Sequence, residues 1–135
     1  GEDVHGVAPI AAKHGLPALK GRLVPDPAAA ARLRGRRVLA FAGIGRPRKF
    51  FDSLAAVGAD IAETVAFPDH HPFAAAELAA LQKRAAAFGA ELATTEKDHA
   101  RLPPALRDAV AVLPVNLLWD DESARDALLD RLKQP

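Results

Sequence analysis

Residues 38–58, VLAFAGIGRPRKFFDSLAAVG, read as strand, glycine turn and helix. Val38 to Ile44 is an unbroken apolar run of strand length, the signature of a strand buried on both faces. Gly43 and Gly45 end it, Pro47 is placed where a helix can begin, and PRKFFDSLAAVG is amphipathic at helical spacing. The unit recurs downstream. Asp60 to Phe67 reads as a second strand, FPDHHP as its loop, and Phe73 to Phe88 as an alanine-rich helix closed by Gly89. ELATT, residues 91–95, predicts a third strand, and EKDHA, residues 96–100, a loop or first helical turn. Val110 to Trp119 predicts a fourth strand, bent or divided at Pro114, and Asp121 to Lys133 a closing helix capped by Asp121 or Ser123.

This alternation implies α/β architecture: a three-layer α/β/α, Rossmann-like fold with a mainly parallel sheet of about four strands. Residues 1–36 have weaker periodicity and carry Pro9, Pro17, Pro25 and Pro27. They read as a connecting or edge segment, with a short helix over Val7 to His14 and a short strand over Leu19 to Val24. Residues 37–135 read as the α/β domain.

Composition narrows the function. In 135 residues, 18 Lys and Arg face 17 Asp and Glu, so no field of one sign points to nucleic acid. Without cysteine, disulfides, thiolate metal sites and cysteine nucleophiles are excluded. No apolar run is long enough to span a bilayer, and no signal-peptide pattern is visible, which leaves peripheral membrane contact open. The chain starts at Gly1 and has no methionine, so a segment of a longer protein is expected.

In parallel sheets, ligand sites form outside the carboxyl ends of the strands. The three loops richest in chemistry, GIGRPRK, DHH and TTEKDH, all follow such ends, so one sheet edge is expected to carry all three. Around Gly43 and Gly45, backbone N–H groups with Arg46, Arg48 and Lys49 suit an anion such as phosphate. The dinucleotide fingerprint fails because Arg48 stands where its third glycine belongs, and no GxxxxGK[ST] loop occurs. A tight strand-to-helix connection explains the same glycines.

Asp69, His70 and His71 are held between Pro68 and Pro72, each of which fixes its own φ. Metal binding, proton chemistry by an Asp-tuned imidazole, and a plain helix cap by Asp69 all fit that triplet. In TTEKDH, Thr94 and Thr95 offer hydroxyls, Lys97 a positive charge, and Glu96 and Asp98 carboxylates to orient a phosphate or hold a metal through water. Alternatively Thr95 caps a helix with an acidic first turn.

Together, RVLAFAGIGRPRKFFDSL, AFPDHHPF and LATTEKD followed by LPVNLLWDD resemble the C-terminal half of the tetraacyldisaccharide 4'-kinases, over roughly residues 15–133. The resemblance implies an ATP- and Mg²⁺-dependent kinase that phosphorylates the 4' hydroxyl of the lipid A precursor tetraacyldisaccharide 1-phosphate at the cytoplasmic face of the bacterial inner membrane. It also implies a P-loop half, absent here, that holds the phosphate-binding lysine, the metal ligands and the main catalytic aspartate, joined to this half by a two-stranded hinge. Asp69 and His70 match the family's Asp-His pair, which tunes or assists the base that activates the sugar hydroxyl. Gly43, Gly45, His71, Thr94, Thr95, Glu96, Lys97 and Asp98 match motifs near nucleotide or substrate, and no metal ligand is expected. The segment alone is expected to be inactive and to hold no tightly bound cofactor, with the lipid disaccharide, ATP and the P-loop half as its partners. A DHH-type metal-dependent phosphoesterase and a noncatalytic Rossmann-like nucleotide-binding module are the alternatives.

Overall fold

A computed structural model describes residues 5–134. The ends of the two spans expected from sequence, residues 1–4 and 135, lie outside the described residues. In chain order the elements are α1 (Val7–Lys13), β1 (Gly21–Pro25), α2 (Pro27–Leu33), β2 (Arg37–Ala42), α3 (Pro47–Ala56), β3 (Asp60–Ala66) and α4 (Ala75–Ala87). There follow β4 (Glu91–Thr94), α5 (Glu96–Ala100), α6 (Pro104–Arg107), β5 (Val110–Val112), β6 (Val115–Trp119) and α7 (Glu122–Lys133). The chain divides into two compact units, one of Pro25–Pro114 and one of Gly1–Val24 with Val115–Pro135.

The Pro25–Pro114 unit holds a four-stranded sheet of order β3-β2-β4-β5, with every pairing parallel. β2 is central, and from Val38 to Ala42 every residue is buried. Alternation along the strand then sends successive side chains to opposite faces. Val38, Ala40 and Ala42 pack with Ala29 and Leu33 of α2 and Phe50 and Leu54 of α3. Leu39 and Phe41 pack with Leu78, Leu81 and Ala85 of α4, and with Leu102 and Val110. The α/β/α layering expected from the sequence is therefore present, with one apolar core on each side of the sheet.

Two glycines close helices as their sequence position suggests. Gly89 has φ 61°, and the Ala90 N–H reaches the Ala85 carbonyl at 2.8 Å while the Gly89 N–H reaches Ala86 at 3.0 Å. That is a Schellman closure, repeated at Gly58 after α3.

Residues 27–33, read from sequence as part of a connection, form α2. Asp26 caps it by accepting from the Ala29 N–H at 3.0 Å, and Pro27 occupies its first turn. The expected fourth strand is two strands in two sheets: β5 pairs with β4, whereas β6 pairs with β1. Pro114 is the divide; it has no N–H for either ladder, and its carbonyl accepts from the Asp26 N–H at 2.8 Å.

The other unit contains α1, β6, α7 and most of β1. A Cβ at Gly21 would lie 3.0 Å from both Leu117 Cδ1 and the Leu118 carbonyl, so glycine permits the close approach of β1 to β6. Asp121 caps α7 through the Ala124 N–H at 2.8 Å, which selects between the two caps expected from sequence.

Candidate active site at the strand ends

Parallel pairing brings the carboxyl ends of β2, β3 and β4 side by side, with Ala42 beside Ala66 and Ala40 beside Ala93. Their three loops meet at Gly43. Its N–H donates to Asp98 Oδ2 at 2.8 Å. Its carbonyl accepts from Arg101 Nη2 at 3.0 Å and from the His70 N–H at 3.1 Å. One buried glycine thus ties the β2 loop to the β3 loop and to α5. A Cβ there would lie 3.3 Å from the Pro68 carbonyl and from Phe73 Cζ, tighter than most real contacts.

The DHH loop is a tight turn. The His71 N–H donates to the Pro68 carbonyl at 3.0 Å, and His70, third of the four residues, has φ 59°. Among the described residues His70 alone combines a side chain with positive φ. That position usually belongs to Gly or Asn, and a histidine there costs about 1–3 kcal/mol of backbone strain. Asp69 Oδ2 lies 3.7 Å from His70 Nε2, within ion-pair range but longer than a hydrogen bond. Both side chains are exposed, His70 at 69% and Asp69 at 48%. Gly45 adjoins them, since a Cβ there would stand 3.5 Å from Asp69 Oδ2.

Asp69 does not cap the following helix, because α4 begins only at Ala75. Glu77 serves instead: its Oε2 accepts from the Ala74 N–H at 2.9 Å, while both its oxygens lie 2.9 Å from His71 Nε2. His71 also stacks on Phe67, ring centroids 4.9 Å apart. This member of the triplet fastens the loop to α4. The Ala74 N–H first, and then the His71 hydrogen bond, hold the Glu77 carboxyl below its ordinary value. A lowered folded-state value stabilises the charged form, so this contribution is fully present above the ordinary glutamate range and disappears as pH falls through the lowered value. Acidification from about pH 6 to about pH 3 is therefore expected to release the loop's anchorage, read as shifts of the Ala74 amide and His71 ring NMR signals with a midpoint below that of an ordinary glutamate. Glu77→Gln should abolish that transition, and persistence of the transition in the variant would refute the assignment.

TTEKDH divides between surface and interior. Thr94 is fully buried, and its hydroxyl donates to the Phe41 carbonyl at 2.7 Å. Thr95 caps α5, accepting from the Asp98 N–H at 3.1 Å and donating to Asp98 Oδ2 at 3.0 Å. Asp98 has no exposed surface, and its other oxygen is paired with Arg101. Its carboxylate is occupied by the protein itself. Glu96 and Lys97 are exposed, as are Arg46, Arg48 and Lys49 where α3 begins.

Arg101 was not singled out from sequence. Its only signal there is a basic residue three positions after an acidic one on a short helix. In the structure its guanidinium lies 5.5 Å from the centroid of the Phe73 ring. Among the described residues no three His, Cys, Asp or Glu side chains gather into a metal-binding group. A cavity of about 580 Å³ lies elsewhere, along β5 and lined by Arg32, Arg36, Glu91 and Asp108. Arg36 and Glu91 pair there at 3.0 Å.

The sequence profile of the family described as tetraacyldisaccharide-1-P 4'-kinase, LpxK, matches residues 4–133. The chain is 57% identical over 129 residues to a tetraacyldisaccharide 4'-kinase of Rhodospirillum centenum, covering 96% of this chain and 38% of the relative. It is 64% identical over 115 residues to one of Methylobacterium sp. strain 4-46, covering 84% of this chain and 34% of the relative. It therefore spans less than two fifths of the length of these two relatives. The solved structure titled "apo" form LpxK from Aquifex aeolicus in complex with ATP shares the fold, with a TM-score of 0.56, 24% identity and coverage of 89% of this chain and 38% of that one. The chain belongs to the tetraacyldisaccharide-1-P 4'-kinase family.

Proposed function

We propose that this chain is the C-terminal portion of a tetraacyldisaccharide 4'-kinase and that Asp69 and His70 are its contribution to the transfer of a phosphoryl group to a sugar hydroxyl. The observation that carries the reading is the His70 turn: a strained, exposed histidine beside a carboxylate, on the sheet edge where α/β folds bind ligands. Phosphoryl transfer asks a protein mainly for positioning and charge stabilisation. His70, exposed with Asp69 Oδ2 3.7 Å from its Nε2, offers a neutral imidazole nitrogen to take the proton leaving the 4' hydroxyl, with the carboxylate beside it to orient the ring. Gly45, Glu96 and Lys97, exposed on the same edge, are placed to meet substrate or nucleotide.

ATP and Mg²⁺ are the cofactors this reading implies for the whole kinase. The described residues do not fit a Mg²⁺ site: Asp98 is enclosed, and no ligand cluster exists among them. The same observation leaves the DHH-type phosphoesterase without a ligand set. We assign the metal and the phosphate-binding lysine to the remaining length of the kinase, and read the β1–β6 pair as its two-stranded hinge. Among the described residues no helix is long and apolar enough to cross a membrane, so contact of this portion with the inner membrane would be peripheral.

The test is a graft. Replacing the matching segment of the Rhodospirillum centenum relative with this chain should give a kinase that phosphorylates tetraacyldisaccharide 1-phosphate with ATP, while the chain alone gives no turnover. A folded but inactive graft, or turnover by the chain alone, would refute the proposal.

A further inference from the structure

We propose that Arg101, acting with Asp98, is a positioning residue that holds the His70 turn in its left-handed form through Gly43. The proposal rests on the reading of His70 as a working group in phosphoryl transfer. A histidine at φ 59° relaxes unless its surroundings over-determine that conformation. The turn is closed by the His71 N–H on the Pro68 carbonyl, and the His70 backbone itself is tied by its N–H to the Gly43 carbonyl at 3.1 Å, so where His70 sits depends on how firmly Gly43 is held. Gly43 in turn is held at both polar groups by one ion pair. Asp98 takes the N–H at 2.8 Å, and Arg101 shares the carbonyl with His70 at 3.0 Å.

The ion pair is itself constrained. Asp98 is fully buried and also accepts from the Thr95 hydroxyl, and Arg101 lies against the ring of Phe73. Phe73 meets Phe41 of the core edge-on at 5.5 Å. Rigidity therefore passes from β2 and α5 through Arg101 to the exposed His70 end of the turn, while His71 fastens the other end to Phe67 and α4. The ion pair and the glycine bond to one another and to the backbone of the turn. Their effect is on where His70 sits, and misplacement of a working group by about 1 Å costs about 10²-fold in rate.

Amide hydrogen exchange on this chain and kinetics on the Rhodospirillum centenum graft test the proposal together. Arg101→Gln keeps a side chain of similar length but removes the charge. It should speed exchange of the His70 amide about tenfold or more, while the amides of Leu39 and Leu92 in the sheet keep their protection. In the graft, Arg101→Gln should lower kcat about 10- to 100-fold with KM for ATP within about twofold, and Arg101→Lys should recover part of that loss. Combined with His70→Ala it should lower kcat no further than His70→Ala alone. Gly43→Ala, which crowds the Pro68 carbonyl from the other side, should reproduce the kcat loss.

Unchanged His70 exchange in Arg101→Gln, or losses that add to those of His70→Ala, would overturn the proposal. So would unfolding of both the Arg101 and Gly43 variants, since the network would then serve stability alone. If His70→Ala itself leaves kcat unchanged, the kinase reading of His70 fails. The exchange result still decides whether Arg101 positions the turn.

Discussion

In the kinase carrying this chain, His70→Ala is expected to lower kcat by about 10²- to 10⁴-fold, the usual contribution of a positioned acid or base. KM for ATP should change little, because the role proposed for His70 is on the sugar hydroxyl and not in holding the nucleotide. Stability should stay within about 0.5 kcal/mol, since the side chain is largely exposed and surface changes of this kind are small. The backbone supplies an internal control. His70→Gly removes the same imidazole but suits φ 59°, so it should be no less stable than His70→Ala and equally inactive. Asp69→Asn leaves the imidazole in place but withdraws the carboxylate charge at 3.7 Å, so it should lower kcat by less than His70→Ala does. Parallel loss of melting temperature and activity in the histidine variants would mean that the turn is only a structural element.

The βα units were legible because their signals are local and redundant. VLAFAGI is apolar on both faces because helices cover both faces of β2, and the Gly58 and Gly89 caps stand where the apolar periodicity stops. The strand ends at Ala42 rather than Ile44 for a tertiary reason. Both polar groups of Gly43 bond to loop partners, Asp98, Arg101 and His70, that follow later in the chain. α2 was missed although its signal is present, since Asp26 followed by Pro27 is a helix start in itself. Weak periodicity and four prolines over residues 1–36 suggested a connection instead.

At the site, the rule that parallel sheets bind ligands at their carboxyl ends brought Gly43, His70 and Thr95 together before any coordinates. What it does not reach is which polar side chain faces inward. Asp98 lies in a run of charges that reads as solvated, and only the approach of Gly43 from β2 shows its carboxylate to be an internal acceptor. Arg101 became visible for the same reason, as the partner a buried carboxylate needs.

Phe41→Ala should be the most damaging single truncation in the Pro25–Pro114 unit. Phe41 is fully buried on the central strand, among Leu39, Leu78, Leu81, Leu92 and Leu102. Removing a buried phenyl ring costs about 3–5 kcal/mol, part in lost transfer energy and part in the cavity left behind. Against a total stability of about 5–15 kcal/mol, that is a large fraction. For a unit of this size the melting temperature should fall by at least about 10 °C. Phe88→Ala, at a residue 42% exposed that caps the end of α4, should lose far less and serves as the comparison. Since Phe73 packs edge-on against Phe41 and lies beneath Arg101, the cavity should also loosen the floor of the site. Phe41→Leu, which refills part of the volume, should recover most of the stability but not the edge contact with Phe73. In the graft it should therefore retain a kcat deficit out of proportion to its stability. A Phe41→Leu variant with full kcat would show that the Phe41–Phe73 contact supports the fold without steering the site, and a loss for Phe41→Ala no greater than for Phe88→Ala would overturn the assignment of the core.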